Sequence, residues 1–201
     1  STKTGRVVFP VTADVSKENT ITEMVDKVAD RFRTIDILIN NAGFCHNGMP
    51  AEELPTYMFR DLFEINVMGA FIASKACSKY MIAQKKGSIV NTASMSAHIA
   101  NRPQTTTHYA VSKAALVALT RNLAAEWGKY NVRVNCISPG YHKTELLCTW
   151  KDQFPIWEPM IPMGRLGMPD ELAAAYLFLA SDASSYTTGA DLVMDGGYEL
   201  W

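Results

Sequence analysis

Short apolar runs rich in β-branched residues alternate along this chain with segments whose apolar residues recur at helical spacing. That alternation restricts it to an α/β architecture built on a parallel sheet. Arg6 to Val11 reads as a strand ending near Asp14-Val15, with Ser16 placed to cap the next helix. In that helix Ile21, Met24, Val25, Val28 and Phe32 share one face. Ile35 to Ile39 is a short apolar run, as expected of a strand buried on both faces, and it ends in Asn40-Asn41-Ala42-Gly43. Pro55 opens a long helix to about Ala83. Strands follow at Gly87 to Ala93, Val132 to Ile137 and Ala190 to Met194, with helices from about His108 to Trp127 and from Pro169 to about Ala180. Five of the nine prolines lie between Pro139 and Pro169, so that stretch, with Trp150 and Trp157, reads as an irregular flap.

With 201 residues, 48% of them hydrophobic, the chain reads as a single domain over 1–201 with enough apolar content for a core. A net charge of −1 points away from nucleic acid and from anionic membrane. No apolar stretch is long enough to span a bilayer, and Ser1-Thr-Lys-Thr-Gly5 carries no apolar signal core. A cytoplasmic location is the expectation. The four cysteines, Cys45, Cys77, Cys136 and Cys148, are widely spaced with no Cys-x-x-Cys pair, which predicts free thiols. His46, His98, His108 and His142 lack helix-face ligand spacing with a carboxylate partner, so no metal site is expected.

In a parallel sheet, ligands gather outside the carboxyl ends of the strands. Asp14, the Asn40 to Gly43 turn, Ser94 and Pro139-Gly140 all fall at such ends. Tyr109 and Lys113, four apart, lie one helical turn from each other. A tyrosine with an ordinary pKa of about 10 yields its proton poorly at neutral pH, and a fixed ammonium beside it is expected to favour the phenolate. Ser94, fifteen positions upstream, is the hydroxyl expected to hold a substrate oxygen against the phenol. Ser96 lies nearer in sequence and is either the alternative to Ser94 or a contact for a polyhydroxylated substrate. The trio suits proton transfer at a C–OH/C=O centre.

These pieces, in this order, resemble the short-chain dehydrogenase/reductase family: Asp14-Val15, Asn40-Asn41-Ala42-Gly43, Asn66 within Phe63-Glu-Ile-Asn-Val67, Ser94, Tyr109-x-x-x-Lys113, Pro139-Gly140 and Asp195-Gly196-Gly197. Thr92 to Ile99, Asn135 to Tyr141 and Ser184 to Asp191 resemble more narrowly its fungal polyol dehydrogenases and ketose reductases of the mannitol, arabinitol, sorbose and xylulose type. The resemblance implies a Rossmann-type doubly wound parallel sheet. It also implies NADP or NAD as hydride carrier, with NADP favoured, and a polyol/ketose substrate. Tyr109 is then the general acid/base and Lys113 lowers its pKa and holds the nicotinamide ribose. Ser94 binds the reacting oxygen and Asn66 anchors a relay water. Asp14 and Val15 contact adenine. Asn41, with Asn40 and the Ala42-Gly43 turn, lines the adenine-ribose groove and ties strands together. Pro139, Gly140, His142 and Thr144 face the nicotinamide. Gln104, Glu145 and Trp150 are candidate substrate contacts, Trp150 and Trp157 being either flap anchors or sugar-stacking platforms. Cys45, just after the turn, reads as a small packing residue.

The departure from the family is at the start. No Thr-Gly-x-x-x-Gly-x-Gly turn occurs here, and two β-α units, roughly 60 residues, are missing. The fold therefore reads as N-terminally truncated, a fragment lacking the loop that cradles a pyrophosphate. Two alternatives stand beside the polyol reading: an inactive truncated chain acting through oligomer partners, and a reductase of another carbonyl such as a 3-oxoacyl thioester. The helices at 55–83 and 108–127 carry Phe71, Ala76, Leu116 and Leu119 beyond one obvious sheet face. With the resemblance, that implies a homodimer or homotetramer; a thicker monomer core is the other reading.

Overall fold

A computed structural model describes residues 5–46, 48–148 and 150–200. The elements run α1 (Glu18–Phe32), β1 (Ile37–Asn40), α2 (Thr56–Phe63), α3 (Gly69–Gln84), β2 (Gly87–Thr92), α4 (Thr107–Trp127), β3 (Val132–Pro139), α5 (Glu145–Cys148), α6 (Phe154–Trp157), α7 (Pro169–Ala180) and β4 (Asp191–Met194). The strands form one parallel sheet in the order β1-β2-β3-β4. Successive strand residues point to opposite faces, and both faces are covered. Ile89, Val132 and Val134 pack with Ile21 and Val25 of α1, Ile72 and Met81 of α3, and Leu123 of α4. Val90 and Ile137 pack instead against Ala175 and Leu179 of α7. This is the doubly wound arrangement expected of the alternating pattern.

Three local expectations are corrected. Residues 6–11 form no strand: Val7 and Val8 are each 68% exposed. A strand needs a neighbour for its backbone groups, and the sheet ends at β1. For the same reason β1 is an edge strand and not buried on both faces, with Ile37 and Ile39 nearly half exposed. Ser16 does not cap α1, because its hydroxyl and N–H both donate to the Asp14 carboxylate, and Lys17 takes the N-cap position without a side-chain cap.

The helix expected from Pro55 onward is present with an insertion. Between α2 and α3 the rod widens into a π-turn at Glu64–Met68, which carries Asn66. Such turns re-aim one side chain within an otherwise continuous helix. Gly69, just after it, packs under the 5–17 segment, where an added Cβ would lie 2.7 Å from the Val15 carbonyl oxygen. The apolar residues that looked surplus on these helices are taken up by the core: Leu116 is buried, and Phe71, Ala76 and Leu119 pack partly buried against it. The proline-rich stretch is irregular but anchored, with Trp157, Ile161 and Leu166 buried against Met95, Tyr141 and Tyr198.

A buried polar ladder crosses the sheet beneath the strand ends. Asn40 Nδ2 donates to Asn91 Oδ1 (2.8 Å) and Ser74 Oγ (3.0 Å), Asn91 Nδ2 donates to Thr120 Oγ1 (2.9 Å), and Thr120 donates to the Leu116 carbonyl. It ties β1 and β2 to α3 and α4. Asn91→Leu keeps the volume and leaves the ladder without its middle rung. An orphaned buried group costs about 1–3 kcal/mol, so urea unfolding is expected to show a loss of that size. An unchanged midpoint would contradict the ladder's role.

Candidate active site

Outside the carboxyl ends of β1, β2 and β3 lies a cavity of about 550 Å³. Asn41 and Gly43 enter it after β1, Thr92, Ser94 and Ser96 at and after β2, and Pro139, Gly140, His142 and Thr144 at the end of β3 and beyond. The first turns of α4 contribute Tyr109 and Lys113, and α7 contributes Leu172, Ala173 and Tyr176. Gln104 and Trp150 also line it, whereas Glu145 is exposed and lies outside.

Lys113 is 5% exposed. Its Nζ donates to the Thr92 carbonyl at 2.7 Å and stands 5.5 Å from the centre of the Tyr109 ring. One of its three N–H groups is thus spent on the protein. Burial pulls this ammonium down to about 8, because the charged form has lost its water. Burial pushes the Tyr109 phenol up to about 12, against the opposing effect of a hydrogen bond with Ser94. This corrects the expected electrostatics. In this chain desolvation outweighs any pull from Lys113, and Tyr109 is a firmly protonated phenol at neutral pH.

Ser94 caps the short turn Met95–Ala97. Its Oγ accepts from the Ser96 N–H and donates to Ser96 Oγ, both at 3.1 Å. The two serines are therefore one hydrogen-bonded unit, and Ser94 is the member that meets the phenol. Asn66, 1% exposed, lies beneath the cavity. Its Oδ1 accepts from the Phe44 N–H, and its Nδ2 donates to the Phe44 carbonyl (3.0 Å) and to Ser112 Oγ (3.2 Å). Here the amide is a strut fixing the loop after β1. Gly43 permits the close approach, since a Cβ there would sit 3.0 Å from Asn66 Oδ1 and 3.6 Å from Lys113 Nζ.

The residues expected at a dinucleotide divide in two. His142 is buried with Nδ1 3.1 Å from the Gly140 carbonyl, and Thr144 Oγ1 accepts from the Leu147 N–H. Asn41 Oδ1 accepts from Thr92 Oγ1 at 3.3 Å. These face the same space as Tyr109 and Lys113. Asn40 is committed to the buried ladder, Ala42 is exposed, and neither lines the cavity. Asp14 is exposed, and hydrogen bonds from Ser16 and Lys17 hold its carboxyl below the usual range. Val15 packs on α3, and both stand apart from the cavity.

Tyr176 and Tyr141 were not marked by the sequence as contributors. Tyr176 OH lies 2.7 Å from Thr92 Oγ1, and only the fold brings α7 to that point. Tyr141 stacks on Trp157 with ring centres 4.1 Å apart. Its hydroxyl accepts from Gln104 Nε2 at 2.6 Å, and Gln104 Oε1 in turn accepts from Trp157 Nε1. Trp157 is thus a flap anchor, 1% exposed. Cys45 lines the cavity, but burial pushes its thiol up to about 11, so it is no thiolate nucleophile. Among the described residues no three His, Cys, Asp or Glu side chains converge as a metal site, and no helix is long and apolar enough to cross a membrane.

The nicotinamide and ribose end of a dinucleotide fits this donor set, since Lys113 keeps N–H groups beyond the one given to Thr92. The family profile described as enoyl-(acyl carrier protein) reductase matches residues 1–199. Galactitol 2-dehydrogenase of Rhizobium johnstonii is 41% identical over 191 residues, covering 94% of this chain and 74% of its own length. The NADP-dependent mannitol dehydrogenase of Hypocrea jecorina is 44% identical over 185 residues, 91% of this chain and 68% of its own. The crystal structure of a short-chain type dehydrogenase/reductase from Mycobacterium marinum superimposes with a TM-score of 0.95 at 42% identity, covering 98% of this chain and 78% of that one.

Burial of Lys113 has a consequence for stability. Its ordinary value is 10.5 and its folded value about 8. Between these the unfolded chain holds a proton the folded chain has released, so this group makes stability rise with pH across that window. Lys113→Met removes the cost of burying the charge, and also the donor to the Thr92 carbonyl, whose loss costs about 1–3 kcal/mol at every pH. The stability of the variant relative to its parent is therefore expected to fall by about 1–3 kcal/mol between pH 7 and pH 9.5. Denaturant unfolding at the two pH values measures it. A difference between variant and parent that is independent of pH would contradict the assignment.

Proposed function

We propose that this chain, which belongs to the short-chain dehydrogenase/reductase family, is a nicotinamide-dependent oxidoreductase interconverting a polyol and a ketose. The observation carrying this reading is the convergence of Ser94, Tyr109 and Lys113 in one cavity at the strand ends. Relatives named as galactitol and mannitol dehydrogenases support the substrate class. The NADP dependence named for the mannitol enzyme favours NADP over NAD.

When bound, the nicotinamide supplies or accepts the hydride. This chain's residues hold and protonate the other partner. With substrate present, Ser94 turns its hydroxyl hydrogen from Ser96 Oγ to the substrate oxygen and fixes that oxygen against the Tyr109 hydroxyl. In ketose reduction Tyr109 gives its proton to that oxygen as negative charge develops there. Its phenol is protonated at neutral pH, which suits it to this direction. In polyol oxidation it takes the proton back. Lys113, still largely charged below its value of about 8, stabilises the phenolate and offers its remaining N–H groups to the ribose hydroxyls. Asn66 keeps the loop after β1 in place and is the anchor for a relay water. Asn41 and Gly43 would line the adenine-ribose side, with Asn40 holding the strand end beneath through the ladder and Ala42 at the exposed turn; Asp14 and Val15, apart from the cavity, are the candidates for the adenine. Pro139, Gly140, His142 and Thr144, which line the same cavity, would hold the nicotinamide end. Ser96, Gln104 and Trp150 shape the space for the polyol, with Glu145 at its margin. A cytoplasmic homodimer or homotetramer completes the reading.

Positioned proton transfer contributes roughly 10²–10⁴ in rate. Tyr109→Phe is expected to lose about that much turnover with a ketose and NADPH, while fluorescence titration shows reduced dinucleotide still binding. Undiminished turnover would exclude Tyr109 as the acid.

A further inference from the structure

A second hydrogen-bonded cluster lies behind the serine turn and takes no part in the chemistry above. His98 Nε2 is 2.9 Å from Asp191 Oδ2, and Ser138 Oγ donates to Asp191 Oδ1 at 2.7 Å. Its residue types are those of a hydrolase triad, but its geometry is not. Ser138 is fully buried on β3, its hydroxyl is given to the carboxylate, and the ring nitrogen nearest it, at 3.4 Å, is the same Nε2 that meets Asp191. No nucleophile is presented.

What the cluster does is set by where its members sit. His98 immediately follows the Met95–Ala97 turn and closes it, its N–H donating to the Met95 carbonyl at 2.9 Å. Ser94 begins that turn, and the Ala97 N–H donates to the Ser94 carbonyl. Asp191 opens β4 and Ser138 is next to last on β3. The turn is therefore held at one end by β2 and at the other by a hydrogen bond to the far edge of the sheet. The Asp191 side chain is 8% exposed. A carboxylate that buried requires donors on its oxygens, which Ser138 and His98 provide.

We propose that His98, held by Asp191 and Ser138, is a positioning residue. It fixes the Ser94–Ser96 turn so that the Ser94 hydroxyl stays in register with Tyr109. The inference rests on the reading of Ser94 as the group that binds the substrate oxygen. The clamp is separable from the packing around it because it acts through one hydrogen bond, from His98 Nε2. A glutamine at 98 carries an amide nitrogen of similar reach, whereas alanine carries none.

The test compares His98→Ala, His98→Gln, Ser94→Ala and the double variant Ser94→Ala/His98→Ala. A misplacement near 1 Å can cost on the order of 10² in rate. His98→Ala is expected to lower kcat for ketose reduction about ten- to a hundredfold, leave the KM for NADPH unchanged, and be largely rescued by His98→Gln. In the Ser94→Ala background the same change is expected to cost nothing further, as for two residues acting as a unit. An equal loss in both backgrounds, or undiminished turnover in His98→Ala, overturns the proposal. Amide hydrogen exchange reads the clamp without activity. In His98→Ala, exchange is expected to quicken at Ser96, Ala97 and residue 98, but not at Leu192 or along α4. No change at the turn, or a uniform increase through the chain, also overturns it. A wild-type chain that shows no turnover, with exchange behaving as expected, would count against the oxidoreductase reading and leave the clamp standing.

Discussion

The parallel register of β1, β2 and β3 is the constraint on which the rest of the molecule depends. Asn40, Asn91 and Cys136 stand in one row across the sheet. β1 ends in that row, β2 one residue beyond it and β3 three beyond it, so the turns that follow all open at one edge of the sheet. Gly43, Ser94 and Gly140 come from distant stretches of chain and reach one cavity for this reason. The Asn40–Asn91–Thr120 ladder locks the row from below. A slip of one residue would turn the side chains of a strand to the wrong face and break that ladder at once.

On this frame the site holds an electrostatic arrangement that folding alone would not select. A buried ammonium and a half-buried phenol stand on adjacent turns of α4, and desolvation moves each away from its charged form. Hydrophobic residues there would make a more stable protein. The combination does suit a group that must hold a proton firmly until negative charge appears beside it, and then release it. The same low-dielectric surroundings that raise the phenol strengthen its interaction with that charge. The hydrogen-bonded serine pair, Lys113 on the Thr92 carbonyl and the Asn66 strut on Phe44 leave little freedom for the groups around the cavity.

Much of this was legible in the sequence because it is local or periodic. The strands Gly87–Thr92 and Val132–Pro139 and the helices over 107–127 and 169–180 follow from hydrophobic spacing and turn residues. Tyr109 and Lys113 are related by one helical turn, which spacing alone reports. Long-range packing decided what was misread. Arg6 to Val11 has strand character but no neighbour to pair with, and Ile37 and Ile39 are exposed because β1 is an edge. Ser16 has the chemistry of a cap, yet the Asp14 carboxylate claims its hydroxyl. The raised phenol of Tyr109 depends on burial, which a Tyr-x-x-x-Lys spacing does not encode. Tyr176 on Thr92 and the His98–Asp191 contact join residues 84 and 93 positions apart, and the Tyr141–Trp157 stack joins residues 16 apart. No local pattern marks any of them.

Hydride transfer itself is the central claim, and an isotope measures it most directly. The chain would be incubated with a ketose and NADPH carrying deuterium at C4 of the nicotinamide, in each of the two stereoisomers, and the product polyol examined by mass spectrometry. The account predicts a polyol bearing a single deuterium on the reduced carbon from one of the two stereoisomers. Absence of polyol, or a polyol unlabelled from both, would contradict it.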